Sequence, residues 1–255
     1  MGSHRPMHHV VGFGAVLTAA AVTACAHGFA KRQFATPADL FEASMLAFRR
    51  GDYSGAATGF QRATLEFPSR DPAVTQAHFY LGECHYAQGE YLEATREFRK
   101  VSDETPQHPL APTALLRAGD AQAELWKRPE LDPTYGENAR ATYQELLGRY
   151  PDAPDAARGR VRLAALNERF ATKDYRTALF YLRIHSFDSA IIYLKSVVTD
   201  YGQSSVAPLA LLKLIDAYRH LGYVEETREV CTHLRQYYPN AKGLNETCPP
   251  VPSAP

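Results

Sequence analysis

Cysteine and histidine carry the most direct chemistry in this chain, and their spacing limits what they can do. The 255 residues include four cysteines: Cys25, Cys84, Cys231 and Cys248. They form no CxxC pair and no metal-ligand spacing with histidine. Cys84 and Cys231 fall inside helical apolar patterns, where a buried free thiol is the expectation. Of the ten histidines, His4, His8, His9 and His27 crowd the N-terminus, and His78, His85, His108, His185, His220 and His233 are scattered. Cys84 and His85 are neighbours, so on a helix they diverge by about 100° and are poorly placed to chelate one ion. GxSxG, HExxH, P-loop and GxGxxG patterns do not occur. The expectation is a protein that is not an enzyme, with no catalytic residues, no metal and no cofactor.

Cys25 is different, because an apolar run, Val10 to Ala24, leads directly into it. That run is too short to span a bilayer comfortably but fits the apolar region of a signal peptide. The closing Val22-Thr23-Ala24-Cys25 resembles the lipobox of bacterial lipoproteins. The resemblance implies that Cys25 becomes the mature N-terminus and carries acyl chains. Each buried CH₂ contributes roughly 0.8 kcal/mol, so several chains hold a domain on a membrane. Ala26 rather than Asp follows, which in lipoprotein sorting as known from enteric bacteria favours the outer membrane. Net charge offers no second attraction: 28 Lys+Arg balance 28 Asp+Glu, so no basic field draws nucleic acid.

The remainder of the chain is built from a recurring pattern. An anchor residue is followed by a small residue three later, a large apolar seven later, another apolar ten later, and Pro or Gly fifteen later. The copies are Tyr53-Ala56-Phe60-Ala63-Pro68, Tyr91-Ala94-Phe98-Val101-Pro106, Phe187-Ala190-Leu194-Val197-Gly202 and Val224-Thr227-Cys231-Leu234-Pro239. A further copy, Ala139-Tyr143-Leu146-Pro151, has lost its anchor aromatic. Offsets of three and four keep these side chains on one helix face, and the Pro ends the helix. Gly51, Gly89 and Gly222 each stand two before an anchor, in the inter-helix turn. This looks like the second helix of a tetratricopeptide hairpin. The fold expected is all-α, an α-solenoid of five tetratricopeptide-like hairpins, because one hairpin cannot bury its faces without neighbours.

Residues 1–24 then read as a lipoprotein signal peptide, 25–36 as a lipidated tether, 37–240 as the repeat domain and 241–255 as a disordered Pro-rich tail. An insertion, Trp126 to Gly136, separates the helices of the third hairpin. An amphipathic helix from about Pro154 to Phe170 links the third hairpin to the fourth.

The lipobox, the five hairpins and the Arg128-Pro-Glu-Leu-Asp-Pro-Thr-Tyr135 insertion together resemble the BamD family, the lipoprotein subunit of the outer-membrane β-barrel assembly machinery. The stretch from Tyr218 to Pro239 is similar to that family as well. The resemblance implies a lipid-anchored periplasmic scaffold at the outer membrane. Its partners would be the barrel-forming subunit and unfolded outer-membrane proteins. A tetratricopeptide envelope adaptor of the Tol–Pal or peptidoglycan-synthesis type is the competing reading.

Counting back from each anchor gives the first-helix positions that line the concave side of such solenoids. In the first two repeats these are Phe41, Met45, Phe48, Phe79 and Tyr86, a candidate aromatic groove for a substrate peptide. The same side chains could instead pack on a neighbouring repeat. In repeats four and five they are Tyr175, Leu179, Arg183, Leu212 and Arg219, a mixed surface suited to the partner subunit.

Overall fold

The computed structural model describes residues 33–68, 71–128 and 130–248. The signal segment, Cys25 and most of the tether lie outside these residues. Within them the helices are α1 (Pro37–Arg49), α2 (Tyr53–Glu66), α3 (Pro72–Ala87), α4 (Tyr91–Glu104), α5 (Ala111–Leu125), α6 (Thr134–Arg149), α7 (Pro154–Arg183), α8 (Phe187–Asp200), α9 (Ala207–Leu221), α10 (Val224–Tyr237) and α11 (Leu244–Thr247). Each of the first nine packs on the next, giving five hairpins stacked in sequence order.

The motif positions mark helix boundaries. Tyr53, Tyr91, Phe187 and Val224 are each the first residue of a second helix. Pro68, Pro106, Pro151, Gly202 and Pro239 each lie two residues past a second helix's end. First helices open on Pro37, Pro72, Pro112, Pro154 and Pro208, in the first turn, where a missing N–H costs nothing. The turn residues Gly51, Gly89 and Gly222 take φ values of +79°, +77° and +76°. In the fourth hairpin His185 holds that same position at φ +58°, a left-handed conformation disfavoured for a side chain with a Cβ.

Between the paired helices a small residue meets a large one. A Cβ at Gly82 would lie 2.8 Å from the Phe98 ring, and one at Gly119 would lie 2.5 Å from the Tyr143 ring. The small residues nine before the anchor in the first and fourth hairpins are Ser44 and Ala178, both fully buried, with Ala178 in one cluster with Leu194. The fifth hairpin reverses the sizes, with Ile215 facing Cys231 in one cluster.

The structure departs from the sequence expectations in three places. The linking helix and the first helix of the fourth hairpin are one 30-residue helix, α7, because nothing between Phe170 and Tyr175 stops a helix. No helix of the described residues is long and apolar enough to cross a membrane. The repeat domain starts before residue 37: Phe34 packs on the first core cluster, and Thr36 caps α1 in a reciprocal pair with Asp39. Residues 241–248 are ordered rather than part of a disordered tail. They fold back on α9 and α10, and Cys248 forms a disulfide with Cys231, which is therefore not a free thiol. Cys84 is the free, buried cysteine among the described residues.

Candidate protein-binding surfaces

The aromatic row of the first two repeats is engaged within the molecule. Phe41 is half-buried, edge-on to Phe60 at 5.5 Å and to Phe67 at 6.4 Å. Met45 packs on the same cluster. Phe48 meets Tyr53 at 5.6 Å and Tyr80 of the next hairpin at 5.5 Å. Phe79 is 8% exposed and packs on Phe98. Tyr86 meets Tyr91 at 5.3 Å, with the Arg117 guanidinium 4.0 Å above its ring. Of these five, Phe79 is buried and the other four are half-buried, so the alternative of packing within the molecule accounts for much of their surface. Most of these rings pack against the second helix of their own hairpin, and Phe48 reaches Tyr80 of the next.

A cavity of about 180 Å³ opens between α3, α5, α6 and α7, lined by Tyr86, Asp120, Glu124, Tyr143, Arg162 and Arg169 among others. Arg117 spans two hairpins, donating from Nε and Nη2 to the Glu83 carboxylate at 2.6 and 2.8 Å. Burial opposes its charge, but Glu83 more than compensates and holds the guanidinium's pKa above its usual value. Asp120 is buried, accepts from the Tyr143 hydroxyl at 2.9 Å and faces Arg162 Nε at 3.2 Å. Burial, reinforced by the Asp120 charge, pushes the Tyr143 phenol's pKa far up, so it stays a donor. Spacing along the sequence gave no sign of this cluster, because its members come from three hairpins.

The insertion resolves the missing anchor of the third repeat. Gly136 occupies the anchor position, and a Cβ there would lie 2.4 Å from Trp126. Trp126, the chain's one tryptophan, takes the vacated space at 1% exposure and packs on Phe170 at 4.5 Å. Arg169 lies over the indole at 4.7 Å and donates to the Trp126 carbonyl. Glu130 accepts from Arg176, which ties the insertion to α7 one turn before Phe180.

In the second half the predicted partner residues divide. Tyr175 and Leu179 are half-buried, and burial raises the Tyr175 phenol's pKa. Leu212 packs on the last core cluster. Arg219 is exposed, but it donates to the Thr247 carbonyl at 2.5 Å and so serves the protein's own C-terminal turn. Arg183 is exposed, with its guanidinium 5.8 Å from the Phe180 ring centroid. Phe180 and Ile184, which the concave-side count passed over, are 49% and 53% exposed, one turn apart on the far side of α7 from buried Ala178.

Stacked helical hairpins whose open features are grooves and faces define a tetratricopeptide-type scaffold. The model of the family described as "Outer membrane lipoprotein" matches residues 34–234, all five hairpins, and the chain belongs to that family. A BamD outer membrane protein assembly factor of Caulobacter vibrioides is 26% identical over 223 residues, 86% of this chain and 72% of the relative. The factor of the same name from Xylella fastidiosa strain 9a5c is 23% identical, covering 84% and 77% of the two chains. That of Vibrio cholerae is 33% identical over a shorter stretch, 40% of this chain and 44% of the relative. The BamD assignment made from the lipobox, hairpins and insertion is thereby borne out.

Proposed function

We propose that this chain is a lipid-anchored scaffold of outer-membrane β-barrel assembly, binding the barrel-forming subunit and unfolded outer-membrane proteins and catalysing no reaction with its own side chains. Support comes from its membership of the outer-membrane lipoprotein family across every hairpin, together with relatives named as assembly factors. Acylated Cys25 holds it at the periplasmic face of the outer membrane.

The partner subunit is held by the second half. Arg183, Phe180 and Ile184 form an exposed apolar and cationic row, with half-buried Tyr175 and Leu179 on the same helix. The substrate segment is taken nearer the middle of the solenoid, at the cavity where Tyr86 of the second hairpin meets Glu124 of the third and Arg162 of α7. The observation that carries the reading is the family match over residues 34–234. Purification from detergent-solubilised envelopes, with identification of the stoichiometric partner, tests it. A large β-barrel protein with periplasmic repeats is expected. Recovery of Tol–Pal components alone would overturn the proposal.

A further inference from the structure

The outer face of the fifth hairpin is covered not by another hairpin but by residues 241–248. Leu244, 7% exposed, seats on the cluster of Leu211, Ile215 and Leu234. Gly243, at φ +90°, turns the chain into α11 close to Leu212. Arg219 and Arg235 donate to the carbonyls of Thr247 and Cys248 at 2.5 and 2.6 Å, at the end of α11 where carbonyls lack helical partners. Lys242, Asn245 and Glu246 face solvent. An apolar underside with a polar outer face is what a terminal repeat cap requires.

The disulfide is written into the repeat motif itself. Seven residues after the anchor the other hairpins carry Phe60, Phe98, Tyr143 or Leu194, and the fifth carries Cys231. Its sulfur bonds to Cys248, 1% exposed, with the two Cα atoms 5.7 Å apart. The fifth hairpin thus gives up a large core side chain at a position from which a covalent link reaches the cap.

We infer that residues 241–248 are a cap standing in for a sixth repeat, and that the Cys231–Cys248 bond locks it, closing the end of the solenoid against stacking by a second copy of the chain. This stands apart from the assembly reading. Closing the lock removes two electrons and two protons from the two thiols. They pass to an external disulfide oxidant, which leaves as a dithiol, as oxidising compartments such as the periplasm provide. Cys84 takes no part in exchange: burial first, then Glu83 and Asp52, pushes its thiol pKa up to about 12.

The test uses the full chain in detergent micelles. A non-reducing tryptic digest should hold a linked pair of peptides carrying Cys231 and Cys248. Reduction should speed native-state cleavage at Lys242 on the order of a hundredfold, the loop-closure factor for a link of this span, and should produce concentration-dependent self-association in sedimentation. The Cys231→Ala/Cys248→Ala variant should reproduce both effects without reductant, with unchanged helix content. Absence of the linked peptides, an unchanged cleavage rate, or a reduced chain that sediments as a monomer would each overturn the inference.

Discussion

The first two hairpins and the last two share one motif but use their aromatic residues differently. In the first pair, Phe41 and Phe79 pack on the second helix of their own hairpin, and Phe48 and Tyr80 meet across the junction between the two hairpins. In the fourth, Phe180 and Ile184 stay in solvent, and the turn is closed by a strained His185 where the others have glycine. In the fifth, a core position is given to a disulfide. The first pair gains its stability from regular packing, while the last pair leaves a face open and holds its end by other means. A repeat motif fixes the fold, whereas the departures from it mark what each region does.

That contrast can be broken by substitution. The largest effect is expected at Phe98, which fills the space over Gly82: Phe98→Ala should cost about 3–5 kcal/mol in urea unfolding. A loss below about 1 kcal/mol would refute the close-packing account of the first pair. Removing the disulfide should cost about 3 kcal/mol by loop-closure entropy, read as the difference in denaturant midpoint between the Cys231→Ala/Cys248→Ala variant and the parent. Phe48→Ala should cost about 1–3 kcal/mol through lost apolar burial, whereas Phe180→Ala should shift stability by less than about 0.5 kcal/mol. Equal costs at Phe48 and Phe180 would erase the distinction between a packed row and an open one. His185→Gly relieves the left-handed turn and should raise stability by about 1 kcal/mol, measured by thermal unfolding.

The smallest effect expected is a pH dependence. Burial would raise the Glu97 pKa, but hydrogen bonds from His78 and Lys100 outweigh it and hold the carboxylate below its ordinary 4.5. A depressed acid pKa stabilises the fold above the unfolded value, and that stability is lost as pH falls through the folded one. Glu97→Gln should therefore flatten the stability profile below about pH 4.5 and leave its slope near neutrality unchanged.

The hairpins were legible because offsets of three, seven, ten and fifteen from each anchor are local, and the helix ends follow them. The exposure of the aromatic row was not legible. Whether Phe48 meets solvent depends on Tyr80, thirty-two residues away in the next hairpin. Trp126 was visible as part of an insertion, but its role required knowing that Gly136 leaves an anchor-sized gap. Cys231 read as a buried thiol because its partner lies beyond the last repeat, brought back only by the turn at Gly243. The proposed lipidation at Cys25, which would tie the scaffold to a membrane, rests on the sequence alone.

Site-specific photocrosslinking in cells tests the central claim most directly. A crosslinker at Phe180 should capture the barrel-forming subunit, while one at Phe48 should give only links within the chain. Capture of that subunit from Phe48 and none from Phe180 would contradict the assignment of the two halves.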